Sequence, residues 1–159
     1  MKKITYTTFI ILGMVAVLSA PTQTTAAGES GTVTGAARAA FVAGAALGSV
    51  ALSSLDLGTG MFIEPDGAGT GVFSAVLTGR SALGEARQIT IDGEVLRGAL
   101  TPDGHAHFSG TATVNFGDGM PSLAGVPFSV STTADSLGLT INSTTLPAAR
   151  VIDGTISIE

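Results

Sequence analysis

One stretch, Pro102 to Gly119, constrains the fold more than any other part of the sequence. Apolar or small residues occupy every second position from Ala106 to Phe116, and histidine, serine, threonine and asparagine occupy the positions between them. Side chains of a β-strand point alternately to its two faces, so this alternation predicts a half-buried antiparallel strand with one apolar and one polar face. The Asp-Gly dipeptides near both ends of the stretch are typical of turns.

The same design recurs along much of the chain and predicts an all-β fold. Further strands are predicted at 60–64, 71–79, 87–91, 94–100, 126–131, 137–141 and 151–158. Around Asp92-Gly93 the sequence fits a tight hairpin or, as we favour, one long strand with a bulge at the glycine. Strands of this length with frequent turn signals predict a single antiparallel β-sandwich or a closed soluble β-barrel of about seven to nine strands.

Residues 35–55 allow two interpretations. The segment is rich in alanine, which favours helix, but Gly35, Gly44 and Gly48 each disfavour helix, and the apolar residues show no helical stripe. We therefore predict two strands, 32–43 and 49–57, with a turn near Gly48. The alternative is an α+β fold with one Ala-rich helix near residues 36–55.

The N-terminus resembles an export signal. Two lysines precede an apolar run from Phe9 to Leu18, and small and polar residues follow. This pattern predicts a bacterial-type signal peptide, residues 1–27, cleaved between Ala27 and Gly28, with the alternative cut one residue earlier. The apolar run is shorter than the roughly 20 residues of a spanning helix. We therefore expect a single β domain over residues 28–159, secreted or periplasmic, with no transmembrane segment in the mature chain.

Charge and aromatic content exclude several classes of function. Both lysines lie in the predicted signal peptide, so the remaining chain has five bases, all arginine, against twelve acids, a net charge of −7. Nucleic acid and anionic membranes require clustered bases, so neither is expected as a partner. The one tyrosine is Tyr6, and there is no tryptophan, which disfavours a sugar-stacking cleft and a membrane barrel. The chain has no cysteine, so disulfides do not stabilise it.

The two histidines are the candidate metal ligands. His105 and His107 are separated by one residue, which places both on the same face of the predicted strand, and Asp103 lies just before them in the turn. Two imidazoles and a carboxylate suit Zn²⁺ or Cu²⁺ if another strand adds a further ligand. A His-x-His pair alone is a weak signal, and solvated histidines are the default interpretation on the polar face of a strand beside a turn; no cofactor is predicted.

Catalytic motifs are missing from the sequence. There is no cysteine and no Gly-x-Ser-x-Gly turn, and most of the acids lie singly in turns. We therefore expect an exported non-enzymatic β domain that acts as a binding or structural module at the cell surface, in the periplasm or outside the cell. The alternatives are a soluble barrel carrying a small apolar ligand and a metal-binding protein using His105 and His107. Self-association through strand edges is a further expectation.

Overall fold

The structure of the protein is a computed structural model, which describes residues 29–159. The described residues form strands, turns and loops and no helix. The strands are β1 (Gly31–Phe41), β2 (Ala46–Leu47), β3 (Val50–Ile63), β4 (Ala68–Arg80), β5 (Ala86–Thr101), β6 (His105–Asn115), β7 (Leu123–Thr132), β8 (Ser136–Ile141), β9 (Thr144–Thr145) and β10 (Ala149–Ile158). The all-β prediction is therefore confirmed.

The strand pairings form a closed ring. Each strand from β3 to β8 pairs antiparallel with the next, β8 pairs with β10, β10 with β1, and β1 with β3. The two short strands are additions to this ring, because β2 pairs with β3 and β9 with β8. The sheet therefore has the closed arrangement of a barrel, which was one of the two predicted architectures.

The core lies inside the ring and follows the predicted alternation. On β6, Ala106, Phe108, Ala112 and Val114 are buried, whereas the intervening histidines and threonines are exposed. Three aromatic rings occupy the interior at its middle. Phe73 stacks on Phe128 with ring centroids 5.3 Å apart, and Phe108 meets Phe73 edge to face at 5.8 Å. Such pairs add to the free energy gained by burying the rings themselves.

Two glycines lie against the Phe128 ring. A Cβ atom on Gly93 would lie 2.7 Å from Cε1 of Phe128. A Cβ atom on Gly110 would lie 3.2 Å from the same atom and would meet the backbone carbonyl of Glu94 first. Both glycines lie on neighbouring strands, β5 and β6, so the sheet is thin where the Phe128 ring packs against it. In this part of the interior a large side chain therefore packs against positions that have no side chain.

The turn signals are confirmed. Asp66 Oδ1 accepts a hydrogen bond from the Ala68 amide at 2.9 Å in the β3–β4 turn, and Gly67 there has a φ of +84°. In the β5–β6 turn the Gly104 amide donates to the Thr101 carbonyl at 3.0 Å. Left-handed φ angles of this kind suit glycine because it has no Cβ atom.

Three predictions about strand bounds need correction. Residues 36–55 contain no helix, so the α+β alternative is wrong, because the segment pairs along β1 and β3. The short strand predicted at 60–64 is the end of β3, which continues through Gly58 and Gly60 because β1 and β4 pair with it on both sides. At Asp92-Gly93 the favoured single strand is confirmed and the hairpin alternative is wrong, since β5 is continuous, but its irregularity lies between Val95 and Arg97 and not at Gly93.

The predicted signal peptide and its cut between Ala27 and Gly28 lie outside the described residues. Within residues 29–159, no helix is long and apolar enough to cross a membrane.

Candidate functional site

The candidate metal ligands lie where the sequence placed them, at the start of β6 and on its outer face. His105 and His107 are both exposed. His105 Nε2 is 3.5 Å from Asp103 Oδ2. Among the described residues, no three histidine, cysteine, aspartate or glutamate side chains converge as a metal site would require. The structure therefore brings together Asp103 and His105, and the metal site stays a prediction that needs a further ligand.

The environment of Asp103 explains its position in the turn. The Thr101 hydroxyl donates a hydrogen bond to Asp103 Oδ1. This bond stabilises the charged carboxylate and so lowers the pKa of Asp103 below its ordinary value, with a smaller contribution from His105. The same hydroxyl also contacts the His105 carbonyl at 3.2 Å. Asp103 is thus held by the turn itself.

His107 belongs to a different feature, which we call the outer groove. It is a cavity of about 490 Å³ on the outer face of β5, β6, β7 and β8, bounded by the β3–β4 turn on one side and by β9 on the other. Two rows of side chains cross it. The first row is Ala99, His107, Ser131 and Gly138; the second is Arg97, Ser109, Ser129, Thr140 and Thr145.

Strand register creates both rows. In each row every residue is the direct partner of the next one on the neighbouring strand, and directly opposed residues of antiparallel strands have adjacent side chains. The first row is small apart from His107, which leaves space above the sheet. The second row presents four hydroxyl groups beside one guanidinium group, and Thr140 Oγ1 lies 3.1 Å from Thr145 Oγ1.

The charges in the groove are few. Arg97 is its one arginine, and Asp66 lies on its wall. Asp66 uses one carboxylate oxygen to accept the Ala68 amide hydrogen bond of its own turn. Arg97 takes part in none of the ion pairs of the described residues. These pairs are Arg38 with Asp56, Arg87 with Glu85, and His105 with Asp103. The Arg97 guanidinium therefore provides hydrogen-bond donors in a groove lined mainly by hydroxyl groups and small side chains.

A second cavity lies at one end of the barrel. It has a volume of about 410 Å³ and is lined by Leu47, Val114, Phe116, Leu123 and Ile141, among others. Most of these side chains are apolar, so this end cavity differs in chemistry from the outer groove. It lies at the end of the barrel rather than in its interior, the middle of which is occupied by three phenylalanine rings.

The sequence did not predict the outer groove, although it predicted which face of each strand is polar. Alternation on β6 and β7 predicted which side chains point outward, but not which residues on different strands are neighbours. Arg97 is one of the five arginines outside the predicted signal peptide, and no sequence pattern distinguishes it from the others. Its position beside Ser109 follows from the irregularity between Val95 and Arg97, which shifts the register of β5 against β6.

Comparison with protein-family models, with curated proteins and with solved structures gives no match for this chain. The proposal that follows therefore depends on the geometry of the chain itself.

Proposed function

We propose that the chain is an exported, non-enzymatic β domain that acts as a binding module, with the outer groove as its binding surface. The observation that carries this proposal is the groove itself, a recess of about 490 Å³ crossed by a register-aligned row of four hydroxyl groups and Arg97. Binding sites are typically concave surfaces with a small number of placed polar groups.

The lining indicates the chemistry of the ligand. The groove has no tryptophan or tyrosine, so hydrogen bonds from its hydroxyl groups and Arg97 are its main means of recognising a ligand. Hydroxyl groups both donate and accept hydrogen bonds, whereas the guanidinium only donates. A polar ligand with acceptor oxygens near Arg97 and mixed donors and acceptors along the serine and threonine row fits this lining.

The arrangement of titratable groups favours binding over catalysis. Catalytic histidines are typically oriented by a hydrogen-bonded third group, often a carboxylate. In the described residues the one histidine that pairs with a carboxylate is His105, and it does so at an exposed turn. His107 lies between Ala99 and Ser131 in the first row of the groove, and among the described residues no ion pair joins it to Asp66 on the groove wall.

Residues 1–27 support the proposal of export, because they have the basic start, apolar run and small-residue end of a signal peptide. A cysteine-free chain suits an oxidising compartment because it has no thiol to mispair.

The test compares two phenylalanine substitutions on the outer face. Ser131→Phe fills the groove, whereas Thr113→Phe places the same ring at an exposed position on β6 outside it. Each variant and the wild type are expressed from the full 159-residue sequence in an exporting bacterial host and analysed by native mass spectrometry. We expect loss of residues 1–27, and a bound mass on the wild type and on Thr113→Phe that is absent from Ser131→Phe.

Two results would contradict the proposal. A wild-type chain without a bound mass would remove the support for a binding module. An unchanged adduct on Ser131→Phe would show that the ligand binds outside the outer groove. An adduct that survives Ser131→Phe but is lost in Leu123→Asp would instead favour the second candidate function, a carrier of a small apolar ligand. The apolar end cavity is the observation that favours that candidate.

A further inference from the structure

Arg97 differs from most arginines of the described chain because no acceptor of the protein holds its guanidinium group. Three other arginines donate hydrogen bonds at 2.6 to 2.8 Å within the protein: Arg38 to Asp56, Arg80 to the Gly84 carbonyl, and Arg87 to Glu85. Arg97 lines the outer groove and takes part in no ion pair of the described residues. Its N–H donors can therefore bind a ligand without breaking a bond of the protein.

The irregularity of β5 brings Arg97 to the outer face. Val95 is buried, and the next two residues, Leu96 and Arg97, are both exposed, whereas strict alternation would turn one of them inward. This is the pattern of a β-bulge, which re-aims a side chain. The backbone beside it is held in place, because the Gly98 amide donates a hydrogen bond to the Gly67 carbonyl of the β3–β4 turn at 3.1 Å. Arg97 is therefore positioned by a fixed backbone at the wall of the groove.

Two side chains of β6 lie next to Arg97. Ser109 is its direct cross-strand partner, and His107, two residues along the same strand, faces the same side. Cβ atoms of directly opposed residues are about 5 Å apart and those of diagonal neighbours about 7 Å, which is within reach of a long side chain. The guanidinium, the Ser109 hydroxyl and an imidazole N–H of His107 can thus donate to one acceptor group together.

The surroundings limit the charge that the groove accepts. Asp66 lies on the groove wall, where its Oδ1 accepts the Ala68 amide hydrogen bond, and it forms no ion pair with Arg97. The full chain has a formal net charge of −5. Both charges repel a ligand with many negative groups, whereas one negative group next to Arg97 is attracted.

We propose that the outer groove binds a hydroxylated ligand through one oxyanion group, a carboxylate or a phosphate ester, and that Arg97 holds this group. The inference rests on the proposed function and names the class of ligand for that groove. A guanidinium fork matches two oxygens of either group. The second row continues from Arg97 across five strands, which at about 4.8 Å per strand makes it about 19 Å long. The ligand therefore carries its charge at one end and hydroxyl groups along the rest of its length.

Sugars that differ in one group test the role of the charge. The wild type, expressed from the full 159-residue sequence in an exporting host, is titrated with D-glucuronate, D-glucose 6-phosphate and D-glucose. NMR follows the Arg97 Nε–H and the Ser109 amide. Because the groove has no tryptophan or tyrosine to stack on a sugar ring, we expect at least one charged sugar to bind about tenfold more tightly than glucose. The charged sugar that binds more tightly identifies the oxyanion.

Three variants assign the effect to the groove. Arg97→Gln should lower the affinity for the charged sugar about tenfold and remove its preference over glucose. Arg150→Gln is the matched control, because Arg150 is exposed and in no ion pair of the described residues but lies on β10, outside the groove. Asp66→Asn keeps an oxygen for the Ala68 amide and removes the negative charge from the wall, so it should raise the affinity about twofold.

Three outcomes would overturn the proposal. The first is equal affinity of the wild type for charged and neutral sugars. The second is a loss in Arg150→Gln as large as in Arg97→Gln, because it would show a general effect of net charge. The third is no shift at Arg97 or Ser109 with either charged sugar at tens of millimolar. A bound mass that is lost in Ser131→Phe would still support the proposed function in each case, so the two failures are distinguishable.

Discussion

The two halves of the barrel are stabilised differently. In the half formed by β3 to β7, neighbouring strands pair along most of their length, and Phe73, Phe108 and Phe128 occupy the interior. In the half formed by β8, β10 and β1, several inward positions are alanines, among them Ala39 and Ala149, and the junction of β8 with β10 consists of two residue pairs. We call these the ring-filled half and the seam half.

This difference shows how one ring of strands can be both tightly packed and open at an edge. In the ring-filled half the ladders are long, although each of the three ladders from β4 to β7 has one register irregularity. In the seam half β10 extends past the end of β8, and on this stretch Ile156 is buried whereas Ile152 is 60% exposed. The outer groove lies mainly on the ring-filled half, and the stretch of β10 that β8 does not reach lies in the seam half.

The largest expected effect is the loss of the Phe128 ring. Phe128→Ala removes the ring that stacks on Phe73 and leaves a cavity beside Gly93 and Gly110, so we expect a cost of about 3–5 kcal/mol in the free energy of unfolding. The control in the seam half, Ile152→Ala, removes an exposed side chain and should change stability by less than about 0.5 kcal/mol. Urea denaturation of both variants measures the difference, and similar costs would show that the Phe128 ring does not stabilise the interior.

A smaller effect tests whether position 93 must be glycine because the Phe128 ring packs against it. Gly93→Ala places a Cβ atom 2.7 Å from Cε1 of Phe128, with only atoms of that ring close to it, so we expect a cost of about 1–3 kcal/mol. Gly60→Ala is the control, because a Cβ atom there meets nothing within 4 Å.

Replacing the ring by a smaller side chain should relieve this clash. In a Phe128→Leu background, Gly93→Ala should cost about 1 kcal/mol less than in the wild type, which a double-mutant cycle measures by denaturation. Additive costs would show that Gly93 is required by its backbone and not by the ring.

The sequence predicted strands and buried faces in both halves but not which strands pair, for a physical reason. Alternation of Phe73, Ala75 and Leu77 and the turn at Pro102 are local signals, and local signals determine which face of a strand is buried. The pairing of β1 with β10 and with β3 joins residues distant in sequence, and no local pattern specifies such partners. The outer groove depends on the registers between β5, β6, β7 and β8, which the alternation within one strand does not specify, so it was not predicted.

The smallest expected effect distinguishes the turns of the two halves by pH. The β5–β6 turn of the ring-filled half uses the ionisable Asp103, which accepts a hydrogen bond from Thr101. The β7–β8 turn, which leads into the seam half, uses hydroxyl groups: Thr132 Oγ1 donates to the Ser136 carbonyl at 2.9 Å, and Thr133 Oγ1 accepts from the Ser136 amide at 3.1 Å. Acid should therefore weaken the first set of bonds and leave the second intact.

The sign follows from the lowered pKa of Asp103. Its contribution to stability is fully present above the pKa of the unfolded chain and is lost as the pH falls through the lower pKa of the folded state. Thr101→Val removes the donor that stabilises the carboxylate, so the pKa of Asp103 should rise towards its ordinary value. An NMR titration of the Asp103 carboxyl carbon in the wild type and in Thr101→Val measures this change, with Thr132→Val as the control that should leave it unchanged. An identical titration in wild type and Thr101→Val would mean that the β5–β6 turn does not depend on this bond, and that the two turns respond alike to acid.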